Sequence, residues 1–193
     1  MRHLATVSKV EEIQPIEGAD RIVRARVKGW WVVTQKENFK EGDKCVYYEV
    51  DSFLPITPEY DFLLKGSSPK KMIVEGKEVE GIRLKTIKLK GVISQGLILP
   101  VPDYLKDKEE GTDVSEELGI IKYEPPIPAN MEGIIKGSFP SFIPKTDEER
   151  IQNCLDILDI YKGYDFYITS KLDGTSSTFY KKDGEFGVCS HFH

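Results

Sequence analysis

Cysteine, histidine, methionine and tryptophan are all scarce in this chain, with three Cys, three His, three Met and two Trp among 193 residues. Cys45, Cys154 and Cys189 lie far apart, each in an apolar pattern. That spacing excludes a disulfide framework and predicts buried free thiols in a reducing compartment. Cys189, His191 and His193 alternate onto one strand face, but no further ligand cluster accompanies them to close a metal site. No apolar run approaches the roughly 20 residues of a membrane span. The N-terminal Met1-Arg2-His3-Leu4 has no apolar signal region, so a cytoplasmic protein with no membrane association is expected. Internal repeats and low-complexity tracts are missing, and nothing in the sequence calls for an obligate protein partner. What is present is ordinary for a soluble protein with a real core: 39% hydrophobic and 31% charged residues, in a length that suits one or two domains.

The net charge of −5 weighs against a nucleic-acid binder, but the charge is uneven. Residues 65–90 carry Lys65, Lys70, Lys71, Lys77, Arg83, Lys85, Lys88 and Lys90 against only Glu75, Glu78 and Glu80. Residues 103–124 reverse this, with acids well outnumbering lysines. A local basic face can bind phosphate backbones on an acidic protein; equally, lysines along a strand can be simply its solvated side.

Short β-patterns separated by turns fill the first 120 residues. Residues 4–16 alternate apolar and polar with one slip. Residues 22–27 and 30–34 flank Lys28-Gly29, a hairpin turn. Residues 45–50 form a compact apolar-aromatic strand, in which one member of Tyr47-Tyr48 should point outward, as should one of Trp30-Trp31; such aromatics could stack bases. Residues 82–90 read as one strand whose parity changes near Thr86, which predicts a β-bulge there. Residues 91–99 read as another strand, with Gly96 as a bend. Five or so strands with little helix suggest a small closed barrel, and the strand order fits an OB-type Greek key better than a sandwich.

Pro125, Pro126, Pro128, Pro140 and Pro144 then mark a linker. The expected organisation is a barrel domain over 1–122, a linker over 123–145 and a second domain over 146–193. The second domain opens with a helix: Thr146 and Glu149 form a capping box, Ile151, Cys154, Leu155 and Leu158 an apolar stripe, and Gly163 the C-cap. A strand over 164–170, a turn over 171–174, a strand over 175–180 and a third over 185–190 follow, with Asp183-Gly184 as a hairpin signal.

The turn is Lys171-Leu172-Asp173-Gly174. It sets an amine and a carboxylate side by side at a tight bend, the arrangement needed for a lysine that attacks the α-phosphorus of a nucleotide. Such a lysine must be partly deprotonated near neutral pH, a state favoured by burial or neighbouring cations. Asp173 could hold Mg²⁺ through water, so that the metal offsets the triphosphate charge. Gly174 lets the backbone turn without a Cβ clash. Chance alone places K-x-D-G in roughly one in twenty chains of this length, so its setting between two strands carries the argument.

Lys171-Leu172-Asp173-Gly174-Thr175-Ser176 resembles the first signature of the covalent nucleotidyltransferases, the ATP-dependent ligases and mRNA capping enzymes. The upstream residues 139–153, from Phe139-Pro140-Ser141-Phe142-Ile143-Pro144 to Gln152-Asn153, together with Val188-Cys189-Ser190, are similar to the ATP-dependent RNA ligases that carry an N-terminal OB domain. Asp51-Ser52-Phe53-Leu54-Pro55 and residues 82–97 look like that family's barrel strands. The resemblance implies a mainly β fold with some α: an N-terminal OB-type barrel followed by an incomplete α+β nucleotidyltransferase domain of ATP-grasp-like ligase type. It further implies that Lys171 takes AMP from ATP, that Asp173 organises a Mg²⁺ or Mn²⁺ hydration shell, and that Arg150 contacts the ATP phosphates. Backbone groups of Ser170 and Leu172, next to Gly174, would line the adenine pocket. RNA, including nicked duplex, would be the substrate, with Arg83, Lys85, Lys88 and Lys90 as candidate contacts.

Two departures stand out. The family usually has glutamate where this chain has Ser170, and arginine and asparagine where it has His191-Phe192. Later family motifs, which supply metal-binding acids and lysines for the α-phosphate, do not occur here. The electrostatic stabilisation that dominates phosphoryl transfer is then largely missing, so the 193-residue chain is expected to be truncated after the motif and inactive or nearly so in sealing. A different class of function fits the same residues: a non-catalytic OB module that binds nucleic acid, with residues 146–193 a vestige of an inactive ligase homologue.

Overall fold

The computed structural model describes residues 3–126, 135–136, 139–144, 151, 154, 156–170, 174 and 176–190. These are mainly β, with few and short helices. Contacts divide the chain into two compact units, Met1–Pro125 and Pro126–His193. No helix among the described residues is long and apolar enough to cross a membrane.

In the first unit, β1 (Ala5–Lys9) and β2 (Glu12–Pro15) come from the segment with the slipped alternation. The slip marks the point where the chain leaves one sheet for another: β1 pairs antiparallel with β5 (Lys44–Tyr48), β2 with β3 (Ile22–Val27). β3 continues into β4 (Trp30–Gln35) through Lys28 and Gly29, both at positive φ (49° and 74°). That left-handed pair matches the twist of a two-residue hairpin. Alternation is clean here: Val23, Ala25, Val27, Trp30 and Val32 turn inward, while Arg24, Arg26 and Trp31 turn out.

β5 then pairs on its other side with β11 (Leu97–Pro100). Closure back to β4 is made by β10 (Val92–Ser94) and its exit: the Gln95 amide donates to Trp31 O at 2.9 Å, and the Val33 amide to Ser94 Oγ at 2.9 Å. Counting β1 and β2 as one bent strand, the order round the barrel is β1/β2, β3, β4, β10/β11, β5 and back to β1, a Greek key in which β4 and β10 meet through these two bonds and not through a ladder.

Two cores result. Val10, Val27, Trp30, Val32, Phe39, Cys45, Tyr47 and Ile98 fill the barrel. A second cluster with Val7, Val46, Tyr48, Leu54, Tyr60, Ile82, Leu105 and Ile120 covers the other side of β1 and β5. This corrects the expectation that one of Tyr47 and Tyr48 points to solvent. β5 is covered on both faces, so both rings are buried. Their hydroxyls are satisfied as burial demands: Tyr47 donates to Gln95 O at 3.0 Å, and Tyr48 meets the Tyr60 hydroxyl at 3.3 Å. Burial pushes the Tyr48 phenol far up, and the Tyr60 hydrogen bond adds to it. Burial likewise raises the Cys45 thiol to about 12, with Glu110 and Asp43 contributing.

The second core is roofed by a sheet of β12 (Ile121–Lys122), β6 (Ser52–Pro55), β8 (Lys77–Arg83) and β7 (Lys70–Val74), in that order, with the short helix α1 (Asp61–Leu64) between β6 and β7. Gly81 is required there, because a Cβ would lie 2.6 Å from the Phe53 ring. The expected single strand with a bulge near Thr86 is also corrected. Ile82 belongs to β8, whereas Ile87 opens a separate strand, β9 (Ile87–Leu89), paired among the described residues with β10 alone. The parity change is thus a crossing between two sheets. The strand expected over 91–99 likewise divides into β10 and β11 at Gly96, whose φ of +103° makes the bend.

In the second unit, a short helix, α2 (Asp156–Ile160), precedes Gly163 at φ +93°. Thr146, Glu149 and Leu155 lie outside the described residues. Cys154 is half-buried where full burial was expected, while Cys189 is buried. Residues 164–170 are not a strand: no ladder partner stands beside them among the described residues, and all are exposed. Backbone donors and acceptors stay in water unless a neighbouring strand takes them, so a β-rich composition alone does not make a strand. β13 (Thr178–Lys182) and β14 (Glu185–Cys189) do pair, through Asp183 and Gly184 at φ 53° and 82°. The first of these starts three residues later than expected.

Candidate nucleic-acid interface and active-site turn

The basic stretch of the first unit becomes a two-stranded ribbon. Leu89 faces Val92, Lys88 faces Ile93 and Ile87 faces Ser94, and Lys90 and Gly91 make the turn at φ 48° and 82°. Side chains alternate across a strand, so Ile87, Leu89 and Val92 share one side with Ser94, and Lys88 and Ile93 the other. Ser94 is buried against β4, which roots the ribbon in the barrel wall. Every residue of 85–90 is exposed, and Ile87, Leu89 and Ile93 are exposed apolar residues among the lysines. Lys88 and Lys90 stand on this ribbon and Lys85 just before it, all three exposed.

Arg83 is placed differently. It ends β8 half-buried, and its Nε and Nη2 both donate to Asp51 Oδ1, at 2.9 and 2.6 Å. Its guanidinium also lies 4.6 Å from the Tyr123 ring centre. Asp51 sits at φ +69°, a conformation that Asp tolerates better than most residues. Thirty-two positions separate the two partners, and nothing in the local sequence signals the pairing.

On the outer face of the barrel, Arg24 lies 4.5 Å from the centre of the Trp31 ring and donates to Gln14 Oε1. Trp31 is the outward member of its pair and Trp30 the buried one, as the alternation requires. The Arg24 stack covers a ring that could otherwise receive a base.

In the second unit, the hairpin β13–β14 is held by residues that come about forty to fifty positions before it. The Phe142 and Tyr180 rings meet edge to face at 5.3 Å, Lys182 Nζ lies 4.1 Å over Phe142, and Lys136 pairs with Glu185 at 2.6 Å. That hydrogen bond raises the lysine and lowers the glutamate, both fully exposed. Gly187 is needed beneath Tyr180, whose ring a Cβ would meet at under 3 Å. Lys171, Leu172, Asp173 and Arg150 lie outside the described residues, as do His191 and His193. Of the turn itself, Ser170 and Gly174 are described, and both are exposed. Among the described residues no group of three or more His, Cys, Asp or Glu could hold a metal ion.

Comparison with known proteins places these observations. A family model described as OB-fold domain matches residues 4–101. No curated protein matches the chain. Among solved structures, the chain is similar to a variant of the Naegleria gruberi RNA ligase with AMP and Mn, at 44% identity and a TM-score of 0.74, over 99% of this chain and 56% of that one. It is similar to the same organism's RNA ligase with PPi, at 45% identity and a TM-score of 0.73, over 100% and 56%. A third similar structure is a variant of that ligase with ATP and Mn, at 43% identity and a TM-score of 0.73, over 98% and 56%. The chain thus spans a little over half the length of the ligases it matches.

Proposed function

We propose, from the premise that this chain belongs to the OB-fold domain family, that it is the N-terminal portion of an ATP-dependent RNA ligase. The carrying observation is similarity at 44% identity across 99% of the chain, running through both units, to an RNA ligase with AMP and Mn. Agreement over both units favours this reading over that of a lone barrel. In it, Lys171 attacks the α-phosphorus of ATP, the bond to the β-phosphate breaks with release of pyrophosphate, and the lysine becomes lysyl-AMP. The AMP then passes to an RNA 5′-phosphate, freeing the lysine, and a 3′-hydroxyl attacks that phosphate and expels AMP. Asp173 holds the hydration shell of Mg²⁺ or Mn²⁺, Arg150 meets the ATP phosphates, and the backbone of Ser170, Leu172 and Gly174 borders the adenine. The metal supplies charge neutralisation at the phosphates. Lys85, Lys88 and Lys90 on the ribbon hold the RNA backbone, next to Arg83.

The rival reading, a binding module with no catalysis of its own, is favoured by the ribbon, which is built wholly within the first unit. Fusion decides between them. The chain is joined to the part of the Naegleria gruberi RNA ligase that it does not span, and the product is tested on an RNA nick with 5′-phosphate and 3′-hydroxyl ends. Sealing that depends on Lys171 is expected. A folded fusion that binds RNA but never seals would favour the binding module.

A further inference from the structure

The basic ribbon and the chain's exit from the barrel unit share one anchor. Arg83 is the last residue of β8, two residues before Lys85, and donates twice to Asp51 Oδ1. The Asp51 amide donates to Leu84 O at 3.0 Å, and the Leu84 amide to Ser52 O at 2.9 Å, so the root of the ribbon is tied down on both sides. The exit is tied to the same aspartate: the Tyr123 amide donates to Asp51 O at 2.8 Å, under the Arg83 guanidinium. The Tyr123 ring also packs on Phe53 at 5.7 Å, and β12 just before it pairs with β6. Two residues later the proline-rich segment begins at Pro125.

We infer that Asp51, Arg83 and Tyr123 form a clasp that fixes the root of the basic ribbon and the strand leaving the barrel unit together, making Arg83 a positioning residue in RNA binding and not a phosphate contact. The charge of Arg83 is committed to Asp51 and its flat face to Tyr123, whereas Lys85, Lys88 and Lys90 carry no such commitment in the ribbon. Arginine suits the position because its planar group brings two N–H donors to one carboxylate oxygen while its face stacks on a ring, which lysine does not do. The role in binding rests on the reading of the ribbon as the RNA-contacting surface.

Amide hydrogen exchange and salt-dependent RNA binding of the full chain test this together. Arg83→Ala and Asp51→Asn are compared, the asparagine chosen because it tolerates the left-handed backbone. Both should speed exchange at the Tyr123 and Leu84 amides by about tenfold, the scale of a charge-assisted hydrogen bond. Neither should change the slope of log affinity against log salt. Should Arg83→Ala fold poorly, Arg83→Lys serves in its place; it keeps the charge and is expected to lose the amide protection all the same. Unchanged exchange at Tyr123 would overturn the clasp, and a slope that falls by about 0.9 for Arg83→Ala alone would make Arg83 a phosphate contact and overturn its positioning role. If the unsubstituted chain shows no salt-dependent RNA binding, the ribbon reading and the role of Arg83 in binding both fall, while exchange at Tyr123 still decides the clasp itself.

Discussion

Gly96→Ala should cost more stability than any other single methyl added at the ribbon's base. Gly96 bends the chain from β10 into β11 at φ +103°, and an added Cβ would stand 2.5 Å from Tyr48 O and 2.7 Å from the Tyr47 ring. Positive φ costs a residue with a Cβ about 1–2 kcal/mol. The clash adds about 1–3 kcal/mol, because Tyr47 is locked in the barrel by its own hydrogen bond to Gln95 and cannot step aside cheaply. The expected loss is roughly 2–5 kcal/mol, against the ~5–15 kcal/mol that holds a domain folded. Gly91→Ala is the control. Gly91 also has positive φ, +82°, but a Cβ there meets nothing within 4 Å, so only the backbone part, about 1 kcal/mol, should appear. Urea unfolding followed by tryptophan fluorescence reads both, since Trp30 sits in the barrel core. The midpoint should fall for both variants at an unchanged m-value, and much further for Gly96→Ala. Equal unfolding free energies for the two variants, within about 0.5 kcal/mol, would refute the close packing of Gly96 on Tyr47 and Tyr48.

Lys88→Ala and Lys90→Ala should each weaken RNA binding on all sequences alike and reduce the salt slope by about 0.7–0.9; filter binding across a salt series checks this, and an unaltered slope would remove the ribbon from the interface. The Cys45 thiol gives a pH dependence. Its folded pKa is raised to about 12, so the folded state keeps a proton that the unfolded chain releases above about 8.5. Its contribution to stability is therefore complete below that pH and is lost as pH rises towards 12, by up to about 1.4 kcal/mol for each pH step. Unfolding titrations at pH 8 to 10 should show a steeper decline for the unsubstituted chain than for Cys45→Ala, and parallel declines would contradict the burial of the thiol. The purified 193-residue chain alone should seal no RNA, or nearly none, measured on a labelled nick.

The barrel was legible in the sequence where strands obey simple alternation. Residues 22–34 show it best: inward Val23, Ala25, Val27, Trp30 and Val32 were readable from parity, and Lys28-Gly29 from turn chemistry. Parity misled where a strand is covered on both sides, as at Tyr47 and Tyr48, and where one run of sequence serves two sheets, as at Ile82 and Ile87. No local pattern distinguishes a bulge from a crossing, because both shift the phase by one residue. The lysines of the ribbon were visible as charge, but the commitment of Arg83 was not, since Asp51 comes from a distant turn. Residues 164–170 had the composition of a strand, but no ladder partner stands beside them among the described residues. Lys171 and Asp173 rest on the motif and on the family resemblance, and the structure contributes the hairpin β13–β14 that follows them.

In the proposed reaction everything turns on Lys171 taking AMP from ATP. The most direct measurement is the mass of the fused protein after incubation with ATP and Mn²⁺, followed by peptide mapping. A single acid-labile AMP adduct is expected on the peptide holding Lys171-Leu172-Asp173-Gly174, lost in Lys171→Ala. An adduct that survives Lys171→Ala, or a folded fusion that binds ATP and carries no adduct, would contradict it.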